Sequence, residues 1–534
     1  MIQDLLAESL RAALVASGID PPATISLERP ARPEHGDWSS NVALALAATT
    51  KRPPRELATA IADRLTADPP PYVAEVSVAG PGFVNFRLDH GWLHDVLRQV
   101  VEGGVEGYGR HDLGAGERVN VEFVSANPTG PLHAGGGRWA AYGDSLCRIL
   151  ERCGYQVHRE YYINDRGRQI ELFLDSLAAR QAGEPVPEDG YQGQYVADWA
   201  AEMPAGADPR VWGETRVLDD LRQTLARLNV EFDTWFSERS MVASGAIEAA
   251  LADLRAHGHV HDADGAVWLR ATDFGLPKDE VLVKTGGEPT YLLSDIAYHR
   301  DKLERGFDRL IDIWGADHHG HVARLKVGLE ALGYDPDRLE IILGQLVTLL
   351  RAGEEVRMGK RSGEFVELAE VLDEVGPDVA RLTFLLQSID NRQTFDLAAV
   401  VMHSVDNPVY YVQYAHARIR SIMTTAALRG IERRPLAEVD LGLLVHPREL
   451  EILRVLAELP EVVVDACLSR APHKVTTWAR DLAGRFHGFY YDCYVMGQGI
   501  SPDLTQARLW LVEATRVGLT IGLDLLGVSA PESM

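Results

Sequence analysis

"VNVEFVSANPTGPLHAGGGRW", residues 119–139, opens on a run of β-branched and aromatic residues, VNVEFVS (119–125), that predicts a strand. A polar loop follows, then Gly135, Gly136 and Gly137, then a helical pattern from about 138 to 153. Strand, loop, glycine cluster and helix is the phosphate-binding plan of a doubly wound sheet. Free backbone N–H groups at a helix start, with the helix dipole, favour an anion. Glycines let a nucleotide come close to the backbone. A glycine-rich turn without a ligand has the same outline. A Walker A loop is excluded, because no lysine and Ser/Thr pair follows the glycines. A dinucleotide fingerprint fits badly, because the turn is too long.

Working outward, YQVHREYYI (155–163) predicts a second strand and IELFLDSLAARQA (170–182) a second helix. RLIDIWGADHH (309–319) and LEIILGQLV (339–347) supply two later strands with a helix between them. That alternation predicts a parallel α/β sheet of Rossmann type. Residues 184–290 interrupt it and predict an insertion, with strand signals of its own at GAVWLR (265–270) and DEVLVKT (279–285). Before the sheet, helical periodicity at 2–17 and 54–67 and β-like runs at 73–80 and 82–88 predict a small α+β domain. From about 376 onward the pattern is almost entirely helical and predicts a bundle. A chain of 534 residues exceeds one hydrophobic core. The domains are therefore placed at 1–112, 113–390 (with the insertion around 184–290) and 391–534.

The formal net charge is −25, which by itself argues against a nucleic-acid partner. Net charge is an average, however, and a local basic face can sit on an acidic body. HARIRSIM (416–423), LRGIERR (428–434) and residues 469–487 are such candidates, with Tyr410, Tyr411, Tyr414, Trp478 and Tyr490 interleaved for base stacking. Arg29, Arg32, Lys51 and Arg52 give the N-terminal domain a modest basic content. The four cysteines have no metal-binding or disulfide-framework spacing, which fits a reducing cytoplasm. The N-terminal helix is acidic and amphipathic, unlike a signal peptide, and no apolar stretch reaches membrane-spanning length.

VEFVSANPTGPLHAGGGR resembles the first signature of class I aminoacyl-tRNA synthetases, in the form found in bacterial arginyl-tRNA synthetases. EHGDWSSNVALALA (34–47) and GPGFVNFRL (80–88) resemble that family's N-terminal domain. REYYINDRGRQI (159–170), DTWFSERS (233–240), PTYLLSDIAYH (289–299) and WGADHHGH (314–321) resemble its catalytic domain. DNPVYYVQYAHARI (406–419) and LLGVSAPE (525–532) resemble its helical anticodon-binding domain. The resemblance spans nearly the whole chain. It implies ATP-dependent activation of L-arginine, with Mg2+, and transfer to tRNA(Arg) by a cytoplasmic monomer.

The same resemblance implies site residues. His133 and Lys360, with Arg357, would stabilise the phosphates. Gly135, Gly136, His318, His319 and Met358 would line the nucleotide site. Glu122, Ser125 and Asn127 would hold the amino acid's ammonium and backbone end, Tyr291 and Asp295 would clasp its guanidinium, and Asp317 would help hold it. His318 and His319 have no third residue at metal-ligand spacing, so no metal site is predicted.

Two positions depart from the pattern. The first signature, His-x-Gly-His in the family, reads His133-Ala134-Gly135-Gly136 here, and in the second signature Gly359 stands where serine is usual. Losing one phosphate donor typically costs ~10²–10³ in rate. The altered motifs leave open a paralogue with reduced activation, serving tRNA binding, arginine sensing, biosynthesis or self-resistance.

Overall fold

The chain is described here from a computed structural model covering residues 2–30, 32–351, 353–355, 365–400 and 407–534. Arg357, Met358, Gly359 and Lys360 lie outside the described residues. Two compact units emerge from the contacts. One comprises residues 1–103, 426–457 and 488–515, and the other 104–425, 458–487 and 516–534.

In the first unit, β1 (Trp38–Ser40), β2 (Val73–Ala79) and β3 (Phe83–Leu88) form an antiparallel sheet in the order β1-β3-β2. The helices Ile2–Ala16 and Pro54–Ala67 bury Leu6, Leu10, Leu57 and Ile61, residues at the three-to-four spacing that puts apolar side chains on one helix face.

The second unit is built on five parallel strands. These are β4 (Arg118–Glu122), β5 (Gln156–Ile163), β6 (Thr234–Ser237), β10 (Arg309–Gly315) and β11 (Leu339–Gly344), in the order β11-β10-β4-β5-β6. The central strands β4 and β10 are buried along most of their length, as strands of a parallel sheet covered on both faces are. The chain runs outward one way through β4, β5 and β6, then returns to the other side with β10 and β11. The strand order therefore reverses between β4 and β10, and ligands of doubly wound sheets bind at the carboxyl ends of strands at such a point.

Several expectations need correction. The 184–290 stretch is not wholly an insertion, because it contributes β6 to the edge of the parallel sheet; only β7 (Val260–Ala263), β8 (Ala266–Leu269) and β9 (Glu280–Val283) form a separate antiparallel sheet. The first predicted strand stops at Glu122, because Val124 and Ser125 take left-handed φ values of 69° and 39° and turn the chain away. The run 339–347 is broken at Gly344, and Val347 begins another strand, β12 (Val347–Arg351), which pairs with the short β13 (Glu354–Glu355). The chain after 376 is not purely helical. Gln393–Asp396 forms β14, parallel to β12, and alternates buried Gln393 and Phe395 with more exposed Thr394 and Asp396. That alternation is a strand's period, too short to stand out among long helices.

Candidate functional site at the strand crossover

At the predicted crossover lies a cavity of about 240 Å³. Glu122, Val124 and Ser125 line it from the end of β4, Asp312 to Gly315 from β10, and Asp295, Tyr298 and His299 from the helix Tyr291–Glu304. Trp139, Tyr162, His318 and His321 complete the wall. Trp139 reaches the pocket because Gly344 ends β11. A Cβ at that position would lie 2.0 Å from the indole.

The floor is a row of acids. Asp312 on β10 is in register with Glu122 on β4, which is in register with Glu160 on β5. Carboxylates abreast on neighbouring strands repel one another. A row of cations from one helix and its end offsets them. His299 Nε2 lies 2.6 Å from Asp312, Lys302 Nζ lies 2.6 Å from Glu122 and 3.0 Å from Asp312, and Arg305 makes two bonds of 2.7 and 2.8 Å to Glu160. Burial drives the Glu122 carboxyl up despite Lys302. Burial also opposes ionisation of Asp312, yet Lys302 and His299 hold it at about 2. The His299 ring donates from Nδ1 to the Asp295 carbonyl at 2.7 Å and from Nε2 to Asp312. Desolvation alone would lower its pKa, but Asp312 carries it upward.

Glu122 and Asp295 stand at different parts of the wall. Ser125 Oγ donates to Glu122 at 3.0 Å and accepts from the Tyr162 amide at 3.1 Å, bonds that hold the left-handed turn after β4. Asp295 accepts from His321 Nε2 at 2.6 Å. Glu238, the first residue of the helix Glu238–Ala243, is 8% exposed. Burial raises its carboxyl, with Arg166 opposing and Asp165 and Asp295 adding to the rise. The Tyr162 phenol is raised by burial, with Glu238, Asp295 and Glu122 adding to the rise; Glu122 and Asp295 line the cavity on different elements. Such a wall suits a ligand with cations at both ends.

The sequence-derived candidates divide. Glu122, Ser125, Asp295 and His318 line the cavity together. Tyr291 is 79% exposed at the first position of its helix, and Asp317 and His319 are exposed. Asn127 donates to Gln169 at 2.6 Å. Trp139, Tyr162, Tyr298, His299, Asp312 and Glu238 were not singled out from sequence. Tyr298 follows Tyr291 and Asp295 at helical spacing and Glu238 lies within DTWFSERS, whereas Asp312 inside strand β10 carried no signal.

The glycine loop differs from expectation. The amides at the helix start are not free. Gly136, Gly137 and Arg138 donate to the carbonyls of His133, Ala134 and Gly135, Ala134 donates to Val366, and Gly135 donates to His133 Nδ1 at 2.9 Å. The glycines are required by space. A Cβ on Gly135 would meet the His133 ring at 3.0 Å, one on Gly136 would meet Leu132 at 2.9 Å, and one on Gly137 would meet Leu368 and Phe384 at 2.7 Å. Because Nδ1 accepts, the neutral His133 ring carries its proton on Nε2, the tautomer that can donate to a phosphate oxygen.

This loop is tied to the chain just beyond the second signature. His133 bridges Glu367, and Leu368 donates to the Leu132 carbonyl at 2.7 Å. Burial, then Glu370, Asp220 and Asp198, push the Glu367 carboxyl up to about 7 from an ordinary 4.5. The folded chain thus holds a proton that the unfolded chain releases near 4.5, so stability falls as pH rises from that value to about 7 and is level above it. Glu367→Gln is expected to stabilise by about 1 kcal/mol at pH 8, with no gain at pH 4, read as paired melting curves.

Of the proposed stacking residues, Trp478 is 3% exposed and belongs to the core, while Tyr410 and Tyr414 stack on each other at 5.3 Å. Tyr490, Tyr491 and Tyr494 are exposed, at 41%, 68% and 74%. No helix is long and apolar enough to cross a membrane, among the described residues.

Comparison with known proteins agrees along the whole chain. Residues 1–88 match the arginyl tRNA synthetase N terminal domain, 103–191 and 205–404 the class I (R) tRNA synthetase catalytic domain, and 412–534 the DALR anticodon binding domain. An arginine–tRNA ligase of Moorella thermoacetica is 49% identical over 95% of this chain and 93% of its own length. One from Frankia alni is 48% identical over 99% of both chains. The solved structure of Thermus thermophilus arginyl-tRNA synthetase shares the fold, with a TM-score of 0.77 at 24% identity over the full length of both.

Proposed function

Because the chain belongs to the arginyl-tRNA synthetase family, we propose that its crossover pocket is where L-arginine is activated with ATP and then passed to tRNA(Arg). In the first step a carboxylate oxygen of arginine attacks the α-phosphorus and pyrophosphate leaves. In the second, the terminal ribose hydroxyl of tRNA attacks the activated carbonyl and AMP leaves. The observation that carries the assignment of this pocket is its pair of lining acids on different elements, Glu122 at the end of β4 and Asp295 on the helix Tyr291–Glu304.

Glu122, Ser125 and Asn127 are proposed to take the α-ammonium end, with Asp317 nearby. Asp295 and Glu238 are proposed to take the guanidinium, with Tyr291 one turn before Asp295 on the same helix face. His133 would donate from Nε2 to a phosphate oxygen, with Gly135 and Gly136 shaping its turn. His318 and His319 would lie near the adenosine. Lys360, Arg357 and Met358 would act from the second signature, whose downstream end is anchored to the first through residues 366–368. Among the described residues no three His, Cys, Asp or Glu side chains could together hold a metal ion, so Mg2+ is proposed to arrive on the triphosphate. Domain limits of 1–112, 113–390 and 391–534, a monomeric state and a cytoplasmic location complete the proposal.

The test is arginine-dependent ATP–pyrophosphate exchange, run with and without tRNA. Exchange that requires arginine supports the reading. Bound tRNA with no exchange in either condition would favour the reduced-activation paralogue instead. Gly136→His bears on the same question. Its Cβ would lie 2.9 Å from Leu132, a side chain only 2% exposed. The substitution is therefore expected to lower the melting temperature by a few degrees and to leave the exchange rate within about threefold of the parent. A tenfold gain, alone or with Gly359→Ser, would mean the loop still accommodates a second imidazole.

A further inference from the structure

The helix Tyr291–Glu304 carries Asp295, and its own cations fasten it to the sheet. His299, Lys302 and Arg305 recur every three residues and meet Asp312, Glu122 and Glu160, which stand abreast on β10, β4 and β5. The middle contact is the most enclosed. Lys302 is 0% exposed, bonds two carboxylates, and lies 4.4 Å from the centre of the Tyr298 ring. Its Glu122 partner lines the cavity, and Asp295 lies seven residues earlier on the helix, two turns away on the same face.

We propose that Lys302 is a positioning residue for arginine: it holds the Glu122 carboxyl group in place at one end of the pocket while seating the helix that presents Asp295 at the other. The inference rests on the reading of this pocket as the arginine site. Lys302 touches no substrate atom in this account. Without it, Glu122 faces the Asp312 carboxylate across the strand register with only His299 to compensate. Tyr298 on the helix and Tyr162 and Glu160 on β5 are the other titratable groups around it. Burial already opposes ionisation of Glu122. Removing the nearest cation therefore raises its pKa further. Arginine binding then competes with a proton on Glu122 more strongly than in the parent protein.

The experiment measures KM for arginine and for ATP by pyrophosphate exchange, in the presence of tRNA, from pH 6 to 8. For Lys302→Met, KM for arginine is expected to rise about 100-fold at pH 7 and to fall with rising pH more steeply than in the parent, with KM for ATP within about twofold of the parent. Lys302→Met with Asp312→Asn removes one buried charge of each sign. It is expected to keep a raised KM for arginine with less than half that pH slope. An arginine KM within threefold of the parent would overturn the proposal, as would equal pH slopes in the single and double variants. Should the single variant fail to fold, the charge-balanced double variant carries the test: a parent-like arginine KM would overturn the proposal, and a raised one would support it. A parent protein that shows no arginine-dependent exchange would sink the pocket reading itself, a result distinct from either.

Discussion

Replacing Asp295 with alanine is expected to raise KM for arginine by roughly 10²–10³-fold while leaving KM for ATP within about twofold. Truncating one member of a desolvated charge pair costs about 2–5 kcal/mol, which sets that range. Asp295 lines the cavity, and the only hydrogen bond its carboxylate makes among those described is from His321. Burial disfavours ionisation of the neighbouring Glu238, which also sees Arg166, so it cannot take over the charge unaided. Glu238→Gln, which keeps the shape and removes the charge, is expected to act in the same direction by a smaller factor. Steady-state exchange with each substrate varied in turn checks both. Equal loss of arginine and ATP affinity in Asp295→Ala would mean that the helix had shifted as a whole, and the guanidinium assignment would fall.

The second large effect is on stability. Arg381, on the helix Pro377–Phe384, is 1% exposed and donates to the carbonyls of Leu228, Asn229 and Leu526 and to the Asp144 carboxylate. Gly527 beside it has no room for a Cβ, which would lie 2.2 Å from the guanidinium. Farther along, Ser529 bonds Asp378 and Gln413, and the Pro531 carbonyl lies 2.8 Å from His416 Nδ1. The LLGVSAPE segment is thus a tail clamped onto two helices. Arg381→Met leaves three carbonyls and a buried carboxylate short of a donor, although Arg148 and Arg159 still hold Asp144. Breaking a buried pair in this way costs about 3–5 kcal/mol. The melting temperature is expected to fall by roughly 5 °C. Arg168→Met, which breaks an ion pair whose side chains are 74% and 69% exposed, is expected to move it by less than about 1 °C. A drop for Arg381→Met no larger than that control would show that the clamp carries no stability.

The parallel sheet was legible because β-branched and aromatic residues concentrate in its inner strands, so VNVEF and RLIDIWG stand out in any window. The short edge strand Thr234–Ser237 was not, because four residues between helices give no period to read. The end of β4 was misplaced for a different reason. Val124 and Ser125 have strand-forming composition, but the hydrogen bond from the Ser125 amide to the Phe123 carbonyl and tertiary bonds through Ser125 and Ala126 hold the turn in the left-handed region. Glu122, Ser125, Asp295 and His318 could be named from their motifs. Lys302 and Asp312 could not, because a charged residue in a helix or strand reads as solvated until its partner on a distant strand is known. The glycines of the first signature were legible as a constraint but not as its kind: what crowds them is Leu132, Leu368, Phe384 and His133 of this chain.

The most direct measurement is a crystal structure of the protein grown with L-arginine. The account predicts density in the crossover cavity with the guanidinium between Asp295 and Glu238 and the α-ammonium within hydrogen-bond reach of Glu122. Arginine bound elsewhere, or an empty cavity at saturating arginine with ATP and tRNA present, would contradict it.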